Sequence, residues 1–260
     1  MYIKMPSSNA SPYFIWLYIR NLLVIRYRGA FLGLIWNILQ PLLYLTVLGF
    51  VFATFNQAPL DQYVLYLFAG LIPWRFFEQA SMSMMESILQ NGFITKKIHT
   101  PSIYFPLTQL GIAFADFLCA FVVLLGLFLV FQAEWHVQMV ILPLSILIWL
   151  LLAAGTGITL AVLFVFFQDL KNIVQMILML FLFTSTIFFK KEMFVSDPLK
   201  MEFLRFDPVC YWVSLFQKPI FYGEWPSGLD WSVGLLSSVF LLGLGLVLYR
   251  NLHHRFYYSM

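Results

Sequence analysis

Three polar side chains interrupt the first long apolar run of the chain. Asn37, Gln40 and Tyr44 stand at i, i+3 and i+7, a spacing that brings them onto one face of a helix. In hydrocarbon such groups line a polar path or face a partner, or else they hydrogen-bond between helices of the same fold. The spacing is compatible with either. Arg75 and Glu78 lie three residues apart in a second apolar run. They reach each other on one helix face and read as a self-satisfied ion pair that orients its helix. Asp116 is alone in a third run and requires a partner from another helix, as a structural acid rather than a proton relay. Phe181 and Phe188 sit at i and i+7 of a fifth run. Their rings would stack on the C–H faces of sugars along a conduit, or pack against neighbouring helices.

None of these groups amounts to an engine. The phosphate-cradling pattern G-x-x-x-x-G-K-[ST] is missing, as are a dinucleotide fingerprint, H-E-x-x-H and G-x-S-x-G. His253 and His254 are adjacent, so on a helix they point about 100° apart and make a poor metal pair. Cys119 lies in an apolar run and Cys210 in a polar connection, without metal-ligand spacing and badly placed to form a disulfide. A chain with this inventory is expected to bind no metal or cofactor of its own. Any energy-driven work it does takes its energy from a partner.

The elements that must position these residues are membrane spans. Of 260 residues, 62% are hydrophobic and 10% charged, with a mean hydropathy of +0.86. Soluble domains are nearer about 45–50% apolar and 25% charged. The excess apolar surface requires lipid. The net charge of +3 is scattered and forms no basic surface for nucleic acid. A span needs about 20 apolar helical residues, and stretches that meet or approach this lie at 30–54, 63–88, 106–131, 140–167, 173–189 and 231–249. With the N-terminus in the cytoplasm, nine Lys or Arg fall on inside segments and none in the short outside loops 56–62 and 132–139. Five more fall in the long outside segment 190–230, where the charge rule carries little weight. Both termini are therefore expected to be cytoplasmic.

Two further segments need a place. Residues 13–28 are apolar but broken by Arg20, Arg26 and Arg28, and no small-residue cleavage site follows. This stretch is expected to be a retained helix in the cytoplasmic interface, with its arginines at the headgroups. The aromatic stretch 206–222, broken by Pro208 and Pro219, fits a helical segment that re-enters the outer side of the membrane under protein cover, or a loop packed on the surface. The expected fold is all-α: one transmembrane domain over 1–260, with six transmembrane helices, an N-terminal interfacial helix and a re-entrant helical segment between spans five and six.

An ordered set of residues runs through this plan. It begins with Arg26, Tyr27, Arg28, Leu32, Gly33, Trp36, Pro41 and Leu42, and continues with Gly70, Leu71, Pro73, Trp74, Phe76 and Phe77. Then come Lys96, Lys97, Pro101 and Pro106, the pair Asp116 and Phe117, the run Gln168, Asp169 and Leu170, and Asp207, Pro208, Phe216 and Gly223. Taken in order, the set resembles the membrane subunit of type-2 ABC exporters for polysaccharide, the permeases for O-antigen, capsule and teichoic acid. Departures occur at His99 and Thr100, where an aromatic pair often precedes proline, at Gln168 in place of arginine, and at Asp207 in place of asparagine.

The resemblance implies a function and a division of labour. It implies a homodimer in the bacterial cytoplasmic (inner) membrane, working with a separate ABC ATPase that carries the ATP and Mg. It implies a lipid-linked polysaccharide passing between the two subunits. In this chain Arg20, Arg26 and Arg28 would gate lipid entry, and Lys96, Lys97, His99, Asp169 and Lys171 would couple to the ATPase. Asn37, Gln40, Tyr44, Phe181 and Phe188 would line the path, while Arg75, Glu78 and Asp116 would be structural charges. A type-2 exporter of a drug or lipid is the alternative. A membrane enzyme acting on lipid-linked sugars would need an acid or metal constellation at the interface, and none stands out in the sequence.

Overall fold

The computed structural model describes residues 59–92, 101–191 and 204–256, with isolated positions at 19, 20, 39, 43, 47, 49–51 and 202. Among these the regular elements are helical. They are α1 (Leu60–Gln90), α2 (Tyr104–Val130), α3 (Leu142–Phe166, entered through a 3₁₀ turn, Val137–Ile141) and α4 (Leu170–Thr184). After them come α5 (Pro208–Gln217, continued by a π-helical turn, Lys218–Tyr222) and α6 (Gly228–Leu252, followed by the 3₁₀ turn His253–Arg255). The helical stretches Tyr104–Val130, Val137–Phe166 and Gly228–Arg255 are each long and apolar enough to cross a membrane.

α1 is the axis of the bundle. Its 31 residues extend about 46 Å at 1.5 Å each. Residues 63–74 are buried without a break, as expected of a helix enclosed on all sides. α2 and α3 pack along it, and α5 covers its N-terminal half. Phe76 meets Phe114 and Phe117 of α2 at ring separations of 6.0 and 5.2 Å, and Phe77 stands edge-on to Trp149 of α3 at 6.0 Å. Past Trp74 the helix changes character: Arg75 and Gln79 are exposed, and Glu78, Ser83 and Glu86 are half-buried. Together with Asp61 these residues make α1 less apolar than α2, α3 and α6, although it is the longest of them.

α3 and α6 meet backbone to backbone. A Cβ on Gly155 would lie 2.4 Å from the Leu242 nitrogen, and one on Gly245 would lie 3.0 Å from the Gly155 oxygen. Thr159 donates to Gly155 O at 2.8 Å and reaches Leu241 O across the contact at 3.4 Å. Small residues at a crossing let membrane helices approach closely and gain dispersion contacts that lipid would otherwise match.

α5 is held by α3 and α6. Trp149 Nε1 donates to Trp212 O at 3.1 Å, Ser145 Oγ donates to Leu215 O at 3.0 Å, and Trp212 Nε1 donates to Ser237 Oγ at 2.9 Å. Most of α5 is buried. The proline-broken stretch is thus a covered helix and not a surface loop.

The fifth apolar run departs from expectation. Its helix occupies Leu170–Thr184 instead of reaching 189, and the chain turns extended at Ser185. Phe188 lies beyond the helix end, so the seven-residue spacing does not place Phe181 and Phe188 on one helix face. α4 buries only Val174, Leu178 and Leu182, while Met176, Met179, Leu180 and Phe183 on its other sides are exposed. Most of 13–28 and 30–54 lies outside the described residues; positions 19, 20, 39, 43, 47 and 49–51 are helical.

The α3–α6 contact predicts a paired result. Gly155→Ala forces a methyl into the Leu242 backbone and lowers stability by about 1–3 kcal/mol. Gly126→Ala, on an open face of α2, leaves it unchanged. Thermal unfolding of the two variants in detergent checks this.

Candidate functional site

The two ends of the bundle differ in chemistry. At one end, the C-terminal ends of α1, α3 and α6 and the start of α2 converge. Lys171 Nζ, in the first turn of α4, lies 2.5 Å from Glu86 Oε1 of α1. The Ile103 amide donates to Tyr249 OH at 3.3 Å, with Ser102 Oγ at the same distance. Phe256 packs with Ile88, Ala161, Val162 and Val165. These contacts bring the turn before α4, the flanks of the 93–100 segment and the residues after α6 to one end. Asp169 is exposed in that turn. Lys96, Lys97 and His99 lie outside the described residues. The Glu86–Lys171 pair is partly exposed, at 23% and 47% for the two side chains. Such pairs contribute at most about 1 kcal/mol, so its value is positional: it fixes the turn to the central helix.

Arg20 is exposed on a helical position whose neighbour, Ile19, approaches Gly111 of α2. Arg26 and Arg28, like Asn37, Gln40 and Tyr44, lie outside the described residues. Midway along α1, Arg75 Nη1 lies 3.3 Å from Glu78 Oε2. Gln79 Nε2 donates to Asp116 Oδ2 at 2.6 Å, linking α1 to α2.

At the other end, α1 and α5 grip the chain where α4 stops. Tyr63 OH donates to Phe188 O at 2.6 Å, and Tyr66 OH bonds Thr186 O and Phe189 O. Gln217 Nε2 donates to Thr186 O at 3.0 Å. It does so across Gly70, where a Cβ would stand 2.8 Å from Nε2. These bonds occupy carbonyls of the irregular stretch after the helix, which buried backbone requires. Phe181 is half-buried against the core, and the Phe188 ring is buried and stacked on Phe183 at 5.5 Å. Lys190 stands over the Phe221 and Tyr66 rings at 4.6 and 5.5 Å. Lys218 Nζ lies 2.5 Å from Asp230 Oδ2, an oxygen that also accepts from the Ser227 nitrogen and hydroxyl in a capping box.

Asp207 caps α5, accepting from the Val209 nitrogen at 2.9 Å, with Thr184 Oγ1 at 3.4 Å. Burial pushes its carboxyl above the usual carboxylate range against these hydrogen bonds. Burial, with the neighbouring Asp207 charge, pushes the Cys210 thiol up to about 12. Cys210 and Cys119 are free thiols.

Sequence reasoning missed Tyr63, Tyr66, Gln217 and the Lys218–Asp230 and Glu86–Lys171 pairs. The Ser227-x-x-Asp230 cap had a local signature. The others join residues distant in the chain and left no spacing to read.

Residues 13–221 match the sequence model of the ABC-2 type transporter family. The chain belongs to that family. This ABC-2 transporter chain is similar over most of its length to curated relatives. Two are O-antigen export system permease proteins RfbA of Klebsiella pneumoniae, each 26% identical over 90% of both chains. Another is the O-antigen export system permease protein RfbA of Myxococcus xanthus, 28% identical over 76% of this chain and 75% of the relative.

Asp207 carries a pH prediction for this ABC-2 chain. Its raised native pKa means the folded state holds the proton more tightly than the unfolded chain. The associated stability is full below the ordinary carboxylate range and is lost as pH rises through the raised value. Asp207→Asn keeps the cap acceptor and removes the burial cost. The variant is therefore at least as stable as the parent near neutral pH, with an advantage that shrinks on acidification, as read by melting temperature against pH.

Proposed function

We propose that this chain is one of two identical permease subunits of an ATP-driven exporter that moves lipid-linked polysaccharide, O-antigen or a related polymer, across the bacterial cytoplasmic membrane. The observation that carries the reading is the match to O-antigen export permeases over 90% of both chains. Six helices cross the bilayer in this reading, α1 among them. Its length of about 46 Å exceeds the roughly 30 Å hydrocarbon core. α5 and its π-helical turn re-enter the outer side, supported by their burial under α1, α3 and α6.

Both termini face the cytoplasm, as the distribution of Lys and Arg favours. The Glu86–Lys171 end is then cytoplasmic. There Asp169, Lys171, Lys96, Lys97 and His99 meet a separate ATPase that supplies ATP and Mg. Closure of that ATPase pushes on the turn before α4, and the Glu86–Lys171 bridge passes the displacement to α1. Arg20, Arg26 and Arg28 receive the anionic head of the lipid carrier at the inner interface. Asn37, Gln40, Tyr44 and Phe181 face the polymer, while Phe188 supports the wall from behind through Phe183. The Arg75–Glu78 pair orients α1, and Asp116 ties α2 to it through Gln79.

Two tests follow. Deleting the gene alone abolishes surface polymer, and polymer reaching the outer surface at the normal rate would refute the reading. The bridge is tested by reversal: Glu86→Lys and Lys171→Glu each lower export, and the double variant restores much of it. Normal export by both single variants would remove the bridge from the mechanism. Reversing the charge of Lys96 and Lys97 weakens co-purification of the ATPase.

A further inference from the structure

At the end opposite the Glu86–Lys171 bridge, the grip on the chain after α4 leaves a cavity of about 130 Å³. Its walls come from three segments: Tyr66 from α1, Thr186 and Lys191 from the stretch after α4, and Ser214, Gln217, Lys218 and Tyr222 from α5 and its turn, with Glu224 beyond. We infer that this cavity is a subsite for one saccharide unit, held by Tyr66, Tyr222, Thr186, Gln217, Lys191 and Glu224 at the outer exit of the path. The inference rests on the polysaccharide reading above.

Size sets the first bound. An engineered cavity of about 150 Å³ accepts a benzene ring; at about 130 Å³ and open on one side, this one seats part of a single sugar ring, with the rest of the sugar outside. Polarity sets the second. Thr186, Ser214 and Gln217 are 2, 4 and 3% exposed, and the Thr186 hydroxyl is buried without a hydrogen-bond partner. Its polar neighbour is the Cys210 thiol, a weak hydrogen-bonding group. Ser214 Oγ and Gln217 Nε2 already donate to Tyr211 O and Thr186 O, but an acyl chain in this space would leave the Thr186 hydroxyl unsatisfied, at a cost of about 1–3 kcal/mol.

Charge narrows the choice between polar ligands. Lys218 is already taken by the buried Asp230 at 2.5 Å. Lys191 shares the cavity with Glu224, so the walls offer a donor and an acceptor without a clear excess of positive charge. Ring hydroxyls both donate and accept, and they match such a mixture better than phosphate or carboxylate does. The tyrosines supply the remaining feature. Tyr66 is a fixed back wall, 1% exposed with Lys190 over its ring; Tyr222, edge-on to it at 6.3 Å and half-buried, offers the aromatic surface for the C–H face of a sugar. Because three segments contribute, an occupant ties α1, the post-α4 stretch and α5 together.

Saturation-transfer NMR on the permease–ATPase complex in nanodiscs tests this. The probes are D-glucose, D-galactose, D-mannose, L-rhamnose and N-acetyl-D-glucosamine, each added singly. The expected result is transfer to the ring protons of at least one sugar, weakened about tenfold by Lys191→Ala, as loss of a charged hydrogen bond implies. Tyr222→Ala is the second variant; Lys191, at a half-exposed position, tests binding without disturbing the core. No transfer to any sugar, transfer that survives both substitutions, or displacement of the sugar by inorganic phosphate would each overturn the inference. Export lost on gene deletion with no sugar bound would sink the subsite alone. Export persisting after deletion would sink the reading beneath it.

Discussion

A helix whose Tyr63, Tyr66 and Trp74 are fully enclosed needs neighbours on every side of that stretch. That constraint organises the described bundle. α1 buries residues 63–74 completely, and α2, α3 and α5 exist around it as cover. The remaining apolar surface is passed outward to α2, α3 and α6, whose lipid-compatible faces need no polar partner. Close approach is what makes the cover tight. Gly155 and Gly245 let α3 and α6 touch through their backbones, and Trp149 and Ser145 bring α5 down onto the same scaffold by bonding its carbonyls.

The central helix also connects the two ends. Glu86 holds the turn before α4 at one end, while Tyr63 and Tyr66 hold the chain after α4 at the other. Among the described residues, α4 itself is fastened along its length by little more than Val174, Leu178 and Leu182. A helix clamped at both ends and lightly packed between them moves with what moves its ends. For an ABC-2 family member this suits a part that must yield when a partner closes, and it places stiffness in α1, α3 and α6.

Much of this was legible in the sequence. Apolar length alone located the helices now seen at Leu60–Gln90, Tyr104–Val130, Leu142–Phe166 and Gly228–Leu252 to within a few residues, because hydrocarbon length is a local property. The fifth run was misjudged because its helix ends for non-local reasons. Carbonyls after Thr184 are claimed by Tyr63, Tyr66 and Gln217 from far along the chain, and periodicity contains no trace of those partners. Asp116 illustrates the same limit: its need for a partner on another helix was evident, but Gln79 was not. The residues expected to line the path or gate it cluster at 26–44 and 96–99, outside the described residues. Phe188 was misplaced because its spacing from Phe181 assumed a helix that had already ended.

The central claim is that this chain is a passive conduit driven by a separate nucleotide-hydrolysing subunit. Reconstitution into proteoliposomes with and without the partner ATPase tests it most directly, with lipid-linked polymer loaded on one face and its appearance on the other followed by protease-free glycan labelling. The account predicts translocation only when the permease, the ATPase and hydrolysable ATP are all present. Translocation by the permease alone would contradict it, as would hydrolysis of ATP by the purified permease without its partner.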